Sequence, residues 1–263
     1  MDIATLIGLL IGLGGLIGGF VLEGGHVGML LIHTAAMIVF GGTIGAVVIS
    51  FPLDELKKVP SAFAMVFSQK RIDYISVVEE LVGVADRARR EGILSLENYL
   101  PEIENPFMAR GLQLVIDGTD PDLTRNMLEM EIEAFESEES VKSEIFTAAG
   151  GYAPTMGIIG TVMGLVHVLS NISEPDKLGG AIALAFIATL YGVSSANVLW
   201  LPFGTKVRMK IEKEVRLMEL ITEGILSVQA GENPRIIREK LFTFIPPEAK
   251  MERQAEAGRE VRM

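Results

Sequence analysis

Hydroxyl side chains recur in two long stretches without Asp, Glu, Lys or Arg: Thr155 and Thr161 in residues 145–172, and Thr189, Ser194 and Ser195 in residues 178–205. A hydroxyl oxygen can replace part of a cation's hydration shell, although a helical threonine can equally bond the carbonyl four residues back. Proton and sodium relays inside membranes generally need a carboxylate. The charge-free stretches hold none. His33 and His167 are their only imidazoles, and each reads more simply as a packed or interfacial side chain than as a proton carrier. Cation passage would therefore require a carboxylate from a second polypeptide, which predicts a hetero-oligomer.

Other chemistry is missing. The chain contains no G-x-x-x-x-G-K-[ST], G-x-S-x-G or H-E-x-x-H, and the Gly12, Gly14 and Gly15 cluster fails G-x-G-x-x-G because Ile17 takes the last position. With no cysteine there is neither a disulfide nor a cysteine-ligated metal. A net charge of −11 argues against nucleic acid as a partner. We expect no enzyme and no bound cofactor or metal.

The elements that must position the hydroxyls are long and apolar. Residues 3–22, 27–51, 145–172 and 178–205 are each free of charged side chains, at 20, 25, 28 and 28 residues. About 20 apolar residues cross the ~30 Å hydrocarbon core as a helix, so four transmembrane helices are expected. No basic residue precedes the first stretch and no small-x-small site follows Leu22. It should stay as an anchor rather than be removed as a signal peptide.

Charge gives the topology. Residues 52–144 carry 10 basic and 20 acidic side chains and residues 206–263 carry 12 and 10, so 22 of the 23 Lys and Arg share one side, with Lys177 opposite. Basic residues near helix ends mark the cytoplasmic face. Both termini and the large loop are expected there. The organisation is then two spans in 1–51, a cytoplasmic helical loop domain in 52–144, two spans in 145–205 and a cytoplasmic tail in 206–263.

Within the loop, Ile75, Val78, Leu81, Val82, Ala85 and Ala88 form one face of a helix that Gly92 can cap, and a second helix surrounds 107–116. Asp120, Pro121 and Asp122 then make a start signal, with no breaker before Gly150. A helix from Pro121 should run unbroken into the third span. The fourth should extend likewise, with Val207, Ile211, Val215, Met218 and Ile221 on one stripe as far as Gly231, before a short helix from Asn233-Pro234 to about Phe242. Residues after Pro247 read as a frayed polar tail. The fold class is an all-α membrane protein with its third and fourth helices extended into the cytoplasm.

Small residues line the spans: Gly8, Gly12, Gly15 and Gly19 in the first, Ala153, Gly157, Gly160 and Gly164 in the third, and Ala181, Ala185, Ala188, Gly192 and Ala196 in the fourth. Such stripes let helix backbones approach closely. The run Glu129, Glu131, Glu133, Glu136, Glu138 and Glu139 reads as a solvated face.

At this level of detail the chain resembles the MotA/PomA family of flagellar motor stator subunits, related to the ExbB/TolQ superfamily. The resemblance rests on ARREGILSLE at 88–97, YAPTMGIIGTVMGL at 152–165, ATLYG at 188–192, GENPR at 231–235 and Pro246-Pro247. It implies a multi-pass inner-membrane subunit in a homo-oligomeric ring, a pentamer, around a MotB/PomB-type dimer. That partner's transmembrane helix would carry the missing Asp and its periplasmic domain would grip peptidoglycan. Sodium or proton flow through the assembly would drive the rotor.

By the same resemblance, Thr161 and Thr189 line the ion path, and Pro154 and Pro202 couple ion flow to movement. Arg89 and Glu97 contact the rotor switch protein FliG, with Arg90 as an alternative to Arg89. A hydroxyl at Thr161 favours sodium over protons as the transported ion. The alternatives are an ExbB/TolQ-like energiser of an envelope transporter, which the four spans and the loop motif disfavour, and a membrane scaffold that conducts nothing.

Overall fold

A computed structural model describes residues 2–69, 72–171 and 175–246; the tail expected after Pro247 lies outside them. All regular structure among the described residues is helical. Helix α1 is Ile3–Leu22, started by Asp2, whose carboxylate accepts from the Thr5 N–H at 3.3 Å. Helix α2 comprises His33–Ala36, a π-helical turn Met37–Gly41 and Gly42–Ser50. Short helices α3 (Leu53–Leu56) and α4 (Val59–Phe67) follow, and then α5 (Tyr74–Glu91), which ends at Gly92 with φ 85°.

Two short 3-10 segments, Ile93–Asn98 and Leu100–Glu102, lead to α6 (Pro106–Ile116). Helix α7 is Pro121–Ser170. The expected start signal operates: the Asp120 carboxylate accepts from the N–H groups of Asp122 (2.9 Å) and Leu123 (3.4 Å). These 50 residues form one helix, about 75 Å long at about 1.5 Å per residue. Helix α8 comprises Pro175–Ser195, a second π-helical turn Ala196–Trp200 and Leu201–Gln229. Gly231, at φ 68°, turns the chain into α9, Pro234–Leu241, which Asn233 caps.

Four helical segments are long and apolar enough to cross a membrane: Ile3–Leu22, Val27–Ser50, and parts of Pro121–Ser170 and Leu178–Gln229. The protein is multi-pass and all-α. The chain divides into two compact units, Met1–Gln69 with Glu139–Lys210, and Lys70–Glu138 with Ile211–Met263. The unit holding the apolar spans thus also takes in α3, α4 and the first charged turn beyond the fourth span.

In that unit α7 and α8 approach closely, and glycine makes it possible. A β-carbon on Gly157 would stand 2.9 Å from the Ala188 carbonyl oxygen, one on Gly164 3.0 Å from that of Ala181, and one on Gly192 2.5 Å from that of Ala153. The backbones touch where the small-residue stripes predict. Below this seam an aromatic cluster replaces glycine: Phe63 packs edge-on against Phe146 with centroids 4.9 Å apart, and Phe203 lies against Phe63, Phe67 and Phe146. The stripe on α1 behaves differently. No α1 residue is buried, and of Gly8, Gly12, Gly15 and Gly19 only Gly12 meets a neighbour, Val198.

The second unit has an ordinary hydrophobic core. Val78, Leu81 and Ala85 of α5, Met108 and Leu112 of α6, Leu128 of α7, Ile221 and Ile225 of α8 and Ile237 and Leu241 of α9 are all buried together. A charged network borders it. Lys240 Nζ lies 2.5 Å from Glu223 Oε1 and donates to Ser227 Oγ at 3.1 Å, while Arg125 approaches Glu223 at 3.7 Å. The hydrogen bond to Glu223 holds the Lys240 ammonium above its usual range. The glutamate run on α7 is only partly a free face, because Glu131 pairs with Arg110 at 3.0 Å and Glu139 with Lys142 at 2.6 Å.

Candidate functional site

The small-residue seam brings the two threonines together. Thr161 of α7 and Thr189 of α8 hydrogen-bond through their hydroxyls. Thr161 Oγ1 also lies 3.1 Å from the Gly157 carbonyl of its own helix and 3.0 Å from the Ala185 carbonyl of α8, which Thr189 reaches at 3.5 Å. Only two hydroxyl protons serve these contacts, so lone pairs remain available on the clustered oxygens. Gly160 and Gly164 allow the approach: a β-carbon at either would stand within 2.9 Å of the Ala188 or Ala185 side chain. Both threonines are half-buried and neutral. Such a cluster can help strip water from a passing cation but cannot bind one strongly without a negative charge.

Two of the other hydroxyls are used locally. Thr155 donates to the Tyr152 carbonyl at 2.7 Å and Ser195 to the Gly192 carbonyl at 3.2 Å. His33 and His167 are exposed on their helices. A polar tie absent from the sequence reading is Ser143, whose buried hydroxyl donates to the Gly204 carbonyl at 3.0 Å and crosses from α7 to α8. Gly204 marks the place, since a β-carbon there would meet Thr147 Oγ1 at 2.9 Å.

Pro154 and Pro202 fall at related levels of the seam. Pro154 lies inside α7 and offers no N–H to the Gly150 carbonyl; Gly150 packs on Leu201, the neighbour of Pro202. Pro202 comes two residues after the π-helical turn of α8, whose capping Leu201 N–H bonds back to the Ala196 carbonyl. A proline next to a π turn leaves two defects in one ladder, and such places bend helices. An open apolar groove of about 530 Å³ lies alongside, lined by Asn197, Leu201, Pro202, Thr205, Lys206 and Met209.

Arg89, Arg90 and Glu97 are exposed in the second unit. Gly92 turns the chain between them, and Ser95 closes the turn by donating to the Gly92 carbonyl at 2.6 Å. Arg87 stacks over the Tyr99 ring at 4.6 Å and Leu96 is buried, which fixes the segment carrying Glu97. Arg90 is drawn to Asp86 at 2.7 Å. Among the described residues no charged partner stands against Arg89 or Glu97, so these two are free to meet another molecule. Among the described residues no group of His, Cys, Asp or Glu could hold a metal ion.

Residues 6–92 match the family model for the motility protein A N-terminal region, and residues 100–220 match that of the MotA/TolQ/ExbB proton channel family. The chain is 39 % identical to motility protein A of Bacillus subtilis over 95 % of its own length and 93 % of the relative's. It is 36 % identical to the chemotaxis protein PomA of Vibrio alginolyticus, covering 93 % and 96 % respectively. Its fold is similar to a chain of the flagellar MotAB stator complex from Bacillus subtilis, with a TM-score of 0.84, 38 % identity and coverage of 95 % and 98 %.

Proposed function

This chain belongs to the motility protein A branch of the MotA/TolQ/ExbB family, and from that premise we propose that it works with a MotB-type subunit in a flagellar stator. It is the ion-conducting subunit of the motor stator, not an enzyme. Relatives of this kind align over nearly its whole length, and four spans distinguish it from a three-span ExbB/TolQ-like energiser.

One observation carries the mechanism: the α7–α8 seam presents paired hydroxyls, Thr161 and Thr189, in a wall without a carboxylate. The MotB-type partner supplies the Asp that binds the ion, and the threonine oxygens replace part of its water shell. Sodium is the preferred ion because a hydroxyl at position 161 offers it an oxygen where a methyl would not. Copies of the chain surround the partner as a ring, a pentamer in our reading. The unpacked face of α1 supports assembly with further helices.

The ladder defects at Pro154 and Pro202 convert ion passage into movement of the helices that bear them. The cytoplasmic unit engages the rotor switch protein FliG through Arg89 and Glu97, whose charges have no charged partner among the described residues. Arg90, held by Asp86, is secondary. Both termini and the large loop face the cytoplasm, a reading that the 22 Lys and Arg on one side support.

The test is genetic. A strain lacking this chain should keep its flagella and lose swimming, and the chain should restore it. Normal swimming in the deletion strain overturns the assignment.

A further inference from the structure

Helix α1 meets α8 at two levels. Gly12 bears on Val198, where a β-carbon would stand 3.0 Å from Cγ1. At the start of α1, Lys206 Nζ lies 2.6 Å from Asp2 Oδ2 and also donates to Thr5 Oγ1. Pro202 sits midway, four residues after Val198 and four before Lys206. The two helices run antiparallel here, α1 lying alongside Pro202 over about 12 Å of α8 at about 1.5 Å per residue.

The lower contact is built from several bonds. The Asp2 carboxylate that accepts from Lys206 also caps α1 through the Thr5 N–H. The Asp2 N–H donates to the Phe67 carbonyl at 2.9 Å, and Thr5 Oγ1 donates to the Val66 carbonyl at 3.4 Å. Lys210, one turn on, donates to the Met65 and Ser68 carbonyls at 2.6 Å each and stands 3.8 Å from Asp2. The end of α4 is thereby tied to the same knot. The pair is half-buried, with 17 % of the Asp2 side chain and 25 % of the Lys206 side chain exposed. The Lys206 hydrogen bond holds the Asp2 carboxyl below its usual range, against the opposing effect of burial.

We propose that α1 is a brace across the Pro202 bend: Asp2 and Thr5 hold Lys206 on one side while Gly12 bears on Val198 on the other, so α1 sets the angle of α8. Lys206 is a positioning residue that acts through Pro202. The inference rests on the reading of Pro202 as a coupling bend. A fully exposed ion pair contributes little, but removing one member of a half-buried, hydrogen-bonded pair leaves the other charge without its partner. The bend then loses its lower support while the seam of α7 and α8 is untouched.

The experiment uses the full chain with its B-type partner in swimming cells, and reads torque per stator unit as the step height when units join a tethered-bead motor. Asp2→Lys and Lys206→Asp should each lower the step height, and the double exchange should recover it. A merely stabilising pair would change the number of steps and leave their height at the parental value; that result overturns the brace, as does a double variant no better than the worse single. If a reversed variant fails to insert, Asp2→Asn and Lys206→Met are read instead, and parental step height in both overturns it. Failure of every variant to insert also overturns it, because the pair would then serve folding alone. A parent chain that cannot support swimming refutes the stator reading itself, so the two failures are distinguishable.

Discussion

The α-carbon of Gly192 lies so close to Ala153 that a β-carbon at position 192 would stand 2.5 Å from the Ala153 carbonyl oxygen. That approach sets the separation of α7 and α8 and with it the reach between Thr161 and Thr189. The obstruction is backbone, which cannot move aside as a flexible side-chain end can. Gly192→Ala should therefore force the helices apart, at about 1–3 kcal/mol for an overpacked contact. The purified complex should melt at lower temperature and motility should fall. Parental values for both would show that the seam has slack.

Thr161→Ala removes one oxygen from the hydroxyl cluster and leaves Thr189 bonded to the Ala185 carbonyl. Swimming speed plotted against external sodium should shift to higher sodium, while Thr161→Ser stays near the parent. A parent whose speed is indifferent to sodium removes the sodium preference and leaves protons as the transported ion.

The loop arginines should separate by their partners. Arg89→Glu should abolish or sharply reduce torque with normal complex recovery, because among the described residues no charged partner competes for the side chain. Arg90→Ala mainly releases Asp86, an exposed helical pair of about 0.3–0.5 kcal/mol, and should swim nearly as the parent does. Equal defects in both variants would assign the rotor contact to the pair.

In the second unit, Glu80 has its carboxyl held above its ordinary value of 4.5, first by burial and then by the nearby Glu104 charge. A carboxyl whose pKa is raised on folding disfavours the folded state when ionised. The penalty is absent well below 4.5 and grows to full size as pH rises through the folded value. Glu80→Gln should accordingly raise the melting temperature at neutral pH, with the gain shrinking as pH falls. A gain that is independent of pH contradicts the cause given.

Elements whose signals are local were legible in the sequence: the charge-free spans, the Asp120-Pro121-Asp122 start of α7, and the glycines that end α5 and α8. So was the α7–α8 seam, because alanine and glycine recur on one face of each helix. What remained hidden depends on partners distant in the chain. No spacing rule announces the π-helical turns at Met37–Gly41 and Ala196–Trp200, although Pro202 marks the second as a place of strain. Asp2 read only as a charge ahead of a span, and its bond to Lys206 depends on the antiparallel run of α1 and α8. The α1 stripe of four glycines looked like a packing seam, yet among the described residues only Gly12 of the four has a neighbour within 4 Å of its β-carbon position. Likewise Glu131 looked solvated until Arg110 was placed beside it, whereas the Glu139–Lys142 pair is three residues apart and its spacing was open to the sequence.

The central claim is that this wall conducts only with a carboxylate lent by another polypeptide, and cation flux into liposomes tests it most directly. Vesicles holding this chain alone should be as tight to sodium and protons as empty ones, even with an imposed potential. Rapid cation entry through the chain alone would contradict the account.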